Sequence, residues 1–80
     1  MLSVDTYVVT LSPRQKACLT LSAADLTVAQ IGRRLGIASS TVETHLDRAR
    51  RKLKTETRIK TILMAVKIGA LDLDELLGVQ

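Results

Sequence analysis

The chain has 80 residues, 46% of them hydrophobic, with one Tyr and no Phe or Trp. This length is enough for one domain with a single core, and an aliphatic core without aromatic residues favours a helical bundle over a β-sandwich. One cysteine, Cys18, excludes an intrachain disulfide and is typical of a reducing compartment. The sequence has neither an apolar run of about 18 residues nor a secretion-signal pattern, so we expect a soluble, cytoplasmic protein without a membrane segment.

The net charge of +4 is unevenly distributed along the chain. All 12 Lys and Arg residues lie within residues 1–71, whereas the last nine residues contain Asp72, Asp74 and Glu75. Seven basic residues and one acidic residue, Glu56, lie between Arg48 and Lys60. A basic cluster of this kind is typical of a surface that binds a polyanion. A solvated helix face has the same composition, so the cluster alone does not decide between the two.

Two capping patterns predict the first two helices. Ser12 precedes Pro13 and stands three residues before Gln15, which is typical of a capped helix start, and this helix should end near Ala24. Thr27 and Gln30 repeat the pattern, and Gly36 should end the second helix because glycine readily adopts the left-handed conformation. The predicted core positions of these helices are Ala17, Cys18, Leu21, Val28, Ile31 and Leu35.

A third and a fourth helix follow after short connections. Only residues 36–38 separate the second helix from a third, predicted from about Ser40 to Leu53 and capped by Ser39 or Ser40. Such a tight glycine turn predicts a steep crossing and therefore a helix-turn-helix. The third helix should bury Val42, Leu46, Ala49 and Leu53 and expose Glu43, Thr44, Asp47, Arg48 and Arg51.

The fourth helix is predicted from about Thr57 to Gly69 and is apolar on nearly all sides. Such a helix has more apolar surface than its own domain can cover, which favours contact with another molecule. The alternative is that the leucine-rich segment after it (Leu71, Leu73, Leu76 and Leu77) folds back and covers it. We therefore divide the chain into an arm or linker at 1–10, a helix-turn-helix domain at 11–71 and an acidic tail at 72–80.

The sequence contains no pattern that indicates catalysis. His45 is the only histidine and has no companions at metal-ligand spacing, so we expect it to pack in the structure rather than to bind a metal. Ser39 and Ser40 lack a histidine–acid pair that would activate a nucleophile. No glycine-rich phosphate loop is present. We expect no enzymatic activity, no cofactor and no small-molecule ligand in this domain.

Several separated blocks of the sequence resemble the LuxR-type (GerE-like) transcriptional regulators. The matching blocks are Leu11-Ser-Pro-Arg14, Leu26-Thr27, Ile31, Leu35-Gly36-Ile37, Thr41-Val-Glu-Thr-His-Leu46, Lys52-Leu53, Arg58 and Gly69. The resemblance implies an all-α, four-helix domain that binds double-stranded DNA. Its third helix would enter the major groove, and its fourth would mediate homodimerisation on two-fold-related half-sites.

The resemblance also implies roles for individual residues. The residues expected to read bases are Glu43, Thr44 and Asp47. Those expected to contact phosphates are Thr27, Arg48, Arg51, Lys52 and Arg58. Those expected to mediate dimerisation are Ile59, Leu63 and Val66. This chain departs from the family pattern at four places. Asp47 puts a second acid on the groove-facing surface, Ala38 replaces a serine, Asp25 replaces a glycine, and Lys54-Thr55 replaces Gly-Val.

Two other functions are compatible with the sequence. Leu46-Asp-Arg-Ala-Arg-Arg-Lys-Leu53 also resembles region 4 of an extracytoplasmic sigma factor, although a helix after the basic segment is unusual there. A protein-interaction module, such as an antiactivator or a dimerisation partner, would use the apolar fourth helix, with DNA binding weakened by Asp47.

Overall fold

The computed structural model describes residues 10–72 together with Asp74 and Gly78. Within these residues the chain forms four helices and no strand: α1 (Pro13–Ala23), α2 (Val28–Leu35), α3 (Ser39–Leu53) and α4 (Arg58–Lys67). The predicted all-α, four-helix architecture is therefore confirmed. The predicted arm lies almost entirely outside the described residues, and of the predicted tail only Asp72, Asp74 and Gly78 are described, all three exposed.

The caps of the first two helices form as the sequence predicts. The Ser12 hydroxyl accepts from the Gln15 amide at 3.1 Å, while the Gln15 side chain accepts from the Ser12 amide at 3.0 Å. Thr27 and Gln30 make the same reciprocal pair, at 3.2 and 2.8 Å. Each pair satisfies two amides that a helix start leaves without partners. At the other end of α2, Gly36 adopts the left-handed conformation with φ of 71°.

The start of α3 differs from the prediction. Its N-cap is Ala38 and no side chain caps it, so the expected cap by Ser39 or Ser40 is wrong. The short turn after α2 leaves Ala38 extended (φ −68°, ψ 151°), and the helix begins one residue later. Ser39 and Ser40 are then already helical, and a side chain inside the first turn does not have the geometry of an N-cap.

Helix α3 is the centre of the fold, since α1, α2 and α4 all pack against it. The predicted positions Val42, Leu46, Ala49 and Leu53 are all buried, as are Cys18, Leu21 and Ile31. Ala17, Val28 and Leu35 are only half-buried at the edge of the core. The core also contains Leu19, Ala65 and Leu71, which the periodicity of the sequence does not single out. Burial raises the pKa of the Cys18 thiol, which keeps it protonated as a small core residue.

Two non-glycine residues adopt left-handed backbone at positions where the sequence departs from the family pattern. Asp25 has φ of 70° after α1, and Lys54 has φ of 55° after α3. The chain therefore retains the turn geometry that glycine would favour. A non-glycine residue in this region carries a steric cost of about 1 kcal/mol.

A close approach at Gly32 fixes how α2 meets the turn that leads to α3. The Gly32 carbonyl accepts from the Ile37 amide at 2.9 Å. A Cβ atom at Gly32 would lie 2.6 Å from the Ile37 carbonyl oxygen, which is backbone and has no rotamer to change. Glycine is therefore required here for space, although α2 has ordinary helical geometry.

We expect Gly32→Ala to lower the free energy of unfolding by about 1–3 kcal/mol, the range for inserting an extra group into a packed site. The better helix propensity of alanine, about 1 kcal/mol, works in the opposite direction. Urea unfolding followed by circular dichroism measures the net effect. Gly36→Asn is the control, because a Cβ there meets nothing within 4 Å and asparagine tolerates positive φ. A neutral or stabilising Gly32→Ala would contradict the argument from close approach.

Candidate nucleic-acid interface

The outer face of α3 carries the side chains that the sequence assigns to base reading. Glu43 and Thr44 are exposed on it, with Arg48 and Arg51 further along the helix. The Thr44 hydroxyl donates to the Ser40 carbonyl at 3.0 Å, so its oxygen still has a lone pair that faces outward. This face is opposite the buried residues of α3 and is therefore open to a ligand.

Asp47 lies in the middle of this face and is bound by two arginines. One carboxylate oxygen is 3.0 Å from Arg50 Nη2, and the other is 2.9 Å from Arg51 Nε. The hydrogen bond from Arg50, together with the charges of both arginines, holds the pKa of the Asp47 carboxyl below its ordinary value of 3.8. Asp47 is therefore ionised at neutral pH and engaged with neighbours on its own helix. Its spacing to Arg50 and Arg51 could have indicated these pairs from the sequence.

Arg50, which the sequence did not single out as a site residue, joins α3 to the loop before α4. Its second terminal nitrogen donates to the Thr55 carbonyl at 3.0 Å. The Thr55 hydroxyl lies 2.6 Å from the Thr61 hydroxyl, which in turn bonds the Thr57 carbonyl at 2.7 Å. Thr61 is buried, so these hydrogen bonds fix the start of α4 against the end of α3.

A cleft of about 300 Å³ opens where α3 meets the start of α4. Its polar lining includes Glu43 and Asp47 from α3, and Thr57 and Arg58 from the start of α4. Arg58 is exposed in the first turn of α4. The structure thus brings one predicted phosphate-contacting cation next to two of the predicted base-reading residues.

The remaining predicted phosphate contacts have different surroundings. Thr27 is exposed at the start of α2, and its hydroxyl proton remains free to donate while its oxygen caps the helix. Arg48 is exposed on α3 and makes no ion pair with the described residues. Lys52, in contrast, donates to the Thr10 carbonyl at 3.0 Å and to Gln15 Oε1 at 2.9 Å. Its ammonium group therefore holds the start of α1 against the end of α3.

The predicted dimerisation residues occupy one side of α4. Ile59 and Leu63 are 67% and 63% exposed, whereas Val66 is half-buried. Ala65 and Thr61 face the core instead. Leu71 is also buried, while Leu73, Leu76 and Leu77 lie outside the described residues.

Other kinds of site receive no support from the described residues. His45 is half-buried, and its Nδ1 atom is buried without a hydrogen-bond partner there. No group of three or more His, Cys, Asp or Glu side chains in the described part of the chain is arranged to hold a metal ion. Within the same residues, no helix is both long and apolar enough to cross a membrane.

Comparison with known families gives a match over most of the chain. Residues 9–65 match the model named GerE, which describes bacterial regulatory proteins of the luxR family. The match spans α1, α2, α3 and most of α4. No curated protein matches the chain.

The contacts of Lys52 generate a prediction about stability. We expect Lys52→Ala to lower the free energy of unfolding by about 1 kcal/mol, because two hydrogen bonds from a charged donor are lost at a partly exposed site. Urea unfolding at neutral pH measures this, and Arg48→Ala removes the same charge from α3 without removing a hydrogen bond between described residues. Equal stability of the Lys52→Ala variant and the unmodified protein would show that these bonds contribute nothing.

Proposed function

The chain belongs to the luxR family of bacterial regulatory proteins, and we propose that it regulates transcription by sequence-specific binding of double-stranded DNA through α3. The observation that carries this proposal is the outer face of α3, on which two polar side chains and two arginines are exposed: Glu43, Thr44, Arg48 and Arg51. An α-helix with its side chains is about 10–12 Å wide, and the major groove of B-DNA is about 12 Å wide. Helix α3 therefore fits the groove when its buried face stays on the domain.

Base reading is proposed for Glu43 and Thr44, which lie in the first half of α3 and are exposed. A glutamate accepts a hydrogen bond from cytosine N4, and a threonine contacts several bases or the thymine methyl group. Asp47 was assigned the same role from the sequence, but both of its oxygens already accept hydrogen bonds from arginines. A base contact by Asp47 would have to form alongside these ion pairs or replace them.

Phosphate contacts are proposed for three exposed residues: Thr27 at the start of α2, Arg48 on α3 and Arg58 in the first turn of α4. Arg51 is exposed as well, but it makes such a contact only when it leaves its ion pair with Asp47. Hydrogen bonds to phosphate hold the protein in register on the duplex but carry no sequence information. Lys52 is the least suited of the predicted set, because its ammonium group already bonds Thr10 and Gln15.

We further propose that the protein acts as a homodimer through α4. Ile59 and Leu63 form an exposed apolar strip, since residues four apart lie on one side of a helix. A two-fold dimer would present two α3 helices to half-sites about one turn of DNA apart. The same strip supports the second candidate function, a protein-interaction module, which needs α4 but not the face of α3.

We expect duplex affinity to depend strongly on salt. On a duplex selected from a random pool, the logarithm of the binding constant should fall linearly with the logarithm of salt concentration, with a slope of about 0.9 per phosphate contact. Arg48→Ala should weaken all duplexes alike and reduce the slope by about 1, whereas Thr44→Ala should change the preferred sequence. Fluorescence anisotropy measures both effects.

Lys67→Ala serves as the control, since it removes the same charge from an exposed residue in the last turn of α4 that has no proposed contact with phosphate. Absence of salt-dependent binding to any duplex would contradict the proposed function. If the protein is nevertheless dimeric, that result would favour the interaction module. Equal losses with Arg48→Ala and Lys67→Ala would contradict the role given to Arg48.

We expect Leu63→Glu to convert the dimer into a monomer, because a charge would be buried in an apolar contact. Sedimentation equilibrium gives the mass, and circular dichroism checks that the variant stays folded. Ala29→Glu is the matched control, with the same new side chain and the same change of charge at an exposed position of α2, away from α4 in the sequence. A monomeric unmodified protein at high concentration would rule out dimerisation through this strip.

A further inference from the structure

Asp47 places a full negative charge among the cations of α3. The two arginines that bind it differ in how they are held. Arg50 is 35% exposed at its side chain and also bonds the Thr55 carbonyl, so it has a second attachment. Arg51 is 73% exposed at its side chain, and Asp47 is the only partner of that side chain among the described residues.

The ion pairs of Asp47 are exposed, so a contribution to the stability of the fold does not by itself explain why they are present. An exposed pair three or four residues apart on a helix contributes little to the free energy of unfolding, because solvent screens the two charges. The effect of these ion pairs on DNA binding differs in size from their effect on stability. Each cation that contacts a phosphate releases counterions and adds about 0.9 to the slope of the logarithm of the binding constant against the logarithm of salt concentration. A carboxylate that occupies a guanidinium competes directly with that phosphate.

We propose that Asp47 restrains the affinity of α3 for phosphates by holding Arg51, and that this lowers binding to duplexes of every sequence. This inference rests on the proposed function. Non-specific binding depends almost entirely on phosphate contacts, whereas specific binding also has base contacts. Both kinds of complex contain phosphate contacts, so a residue that prevents one such contact weakens both by about the same factor. Asp47 acts as a positioning residue in this role, since it works through Arg51.

Removal of the charge with little change of shape tests the proposal. In Asp47→Asn the amide cannot hold two guanidinium groups as a carboxylate does. For random-sequence duplexes at 0.1 M salt we expect binding on the order of tenfold tighter, with a slope steeper by about 0.9, as for one new phosphate contact. Binding to the selected duplex should tighten by a similar factor, so that the ratio of the two affinities changes little.

Two control variants separate the release of Arg51 from a general effect of net charge and from an effect that does not involve Arg51. Asp72→Asn raises the net charge by the same amount at an exposed position, and its Oδ1 still accepts from the Asp74 amide. It should leave affinity for random duplexes nearly unchanged. In the Arg51→Ala background, Asp47→Asn should lose most of its effect, because the released cation is absent. Equal tightening by Asp47→Asn and Asp72→Asn would overturn the proposal, as would a full effect in the Arg51→Ala background.

Two further outcomes distinguish this proposal from a base-reading role of Asp47 and from failure of the proposed function. Weaker binding of Asp47→Asn to the selected duplex, with unchanged binding to random duplexes, would overturn the proposal and identify Asp47 as a base-reading residue. If the unmodified protein binds no duplex, the proposed function fails, and elution from immobilised heparin then tests the restraint separately. Elution of Asp47→Asn at higher salt than both the unmodified protein and Asp72→Asn would support it, and elution at the same salt would overturn it.

Discussion

The close approach of Gly32 to the Ile37 carbonyl determines how α2 is joined to α3. It allows α2 to end, turn and pass into α3 within three residues, with Gly36 in the left-handed conformation. The short turn sets the direction of α3, and α3 is the helix against which all the others pack. The same turn therefore determines which side of α3 is buried and which side faces outward. The composition of the outer face is then free to vary without loss of the fold.

Much of the fold can be predicted from local sequence patterns, which do not depend on tertiary contacts. The capping residues of α1 and α2 and the buried stripe of α3 were all predicted correctly, because a cap and a helical stripe depend on residues within one or two turns. The cap of α3 was not predicted correctly. The geometry of the turn determines where that helix begins, and the pair Ser39 and Ser40 does not. Gly32 was also missed, because its role depends on the distance to a backbone atom of the next turn.

The surface was harder to predict than the core, and Lys52 and Asp47 show why. Lys52 lies in a basic cluster, yet it bonds Thr10 and Gln15, which are more than thirty residues earlier in the sequence. No local pattern indicates such a contact. The ion pairs of Asp47 are local, and the spacing of the residues allows them. The same spacing also allows the side chains of Arg50 and Arg51 to extend into solvent instead. Composition identifies charged residues, and only geometry shows which of them are already paired.

This distinction changes how the basic cluster between Arg48 and Lys60 is understood. Within the described residues, four of its seven cations have partners in the chain: Arg50, Arg51, Lys52 and Lys60. Arg48, Lys54 and Arg58 have none there. Net charge therefore overstates the number of cations ready to meet phosphate. Asp47 alone engages two of the seven cations, so this one acidic side chain accounts for half of the cations that already have partners.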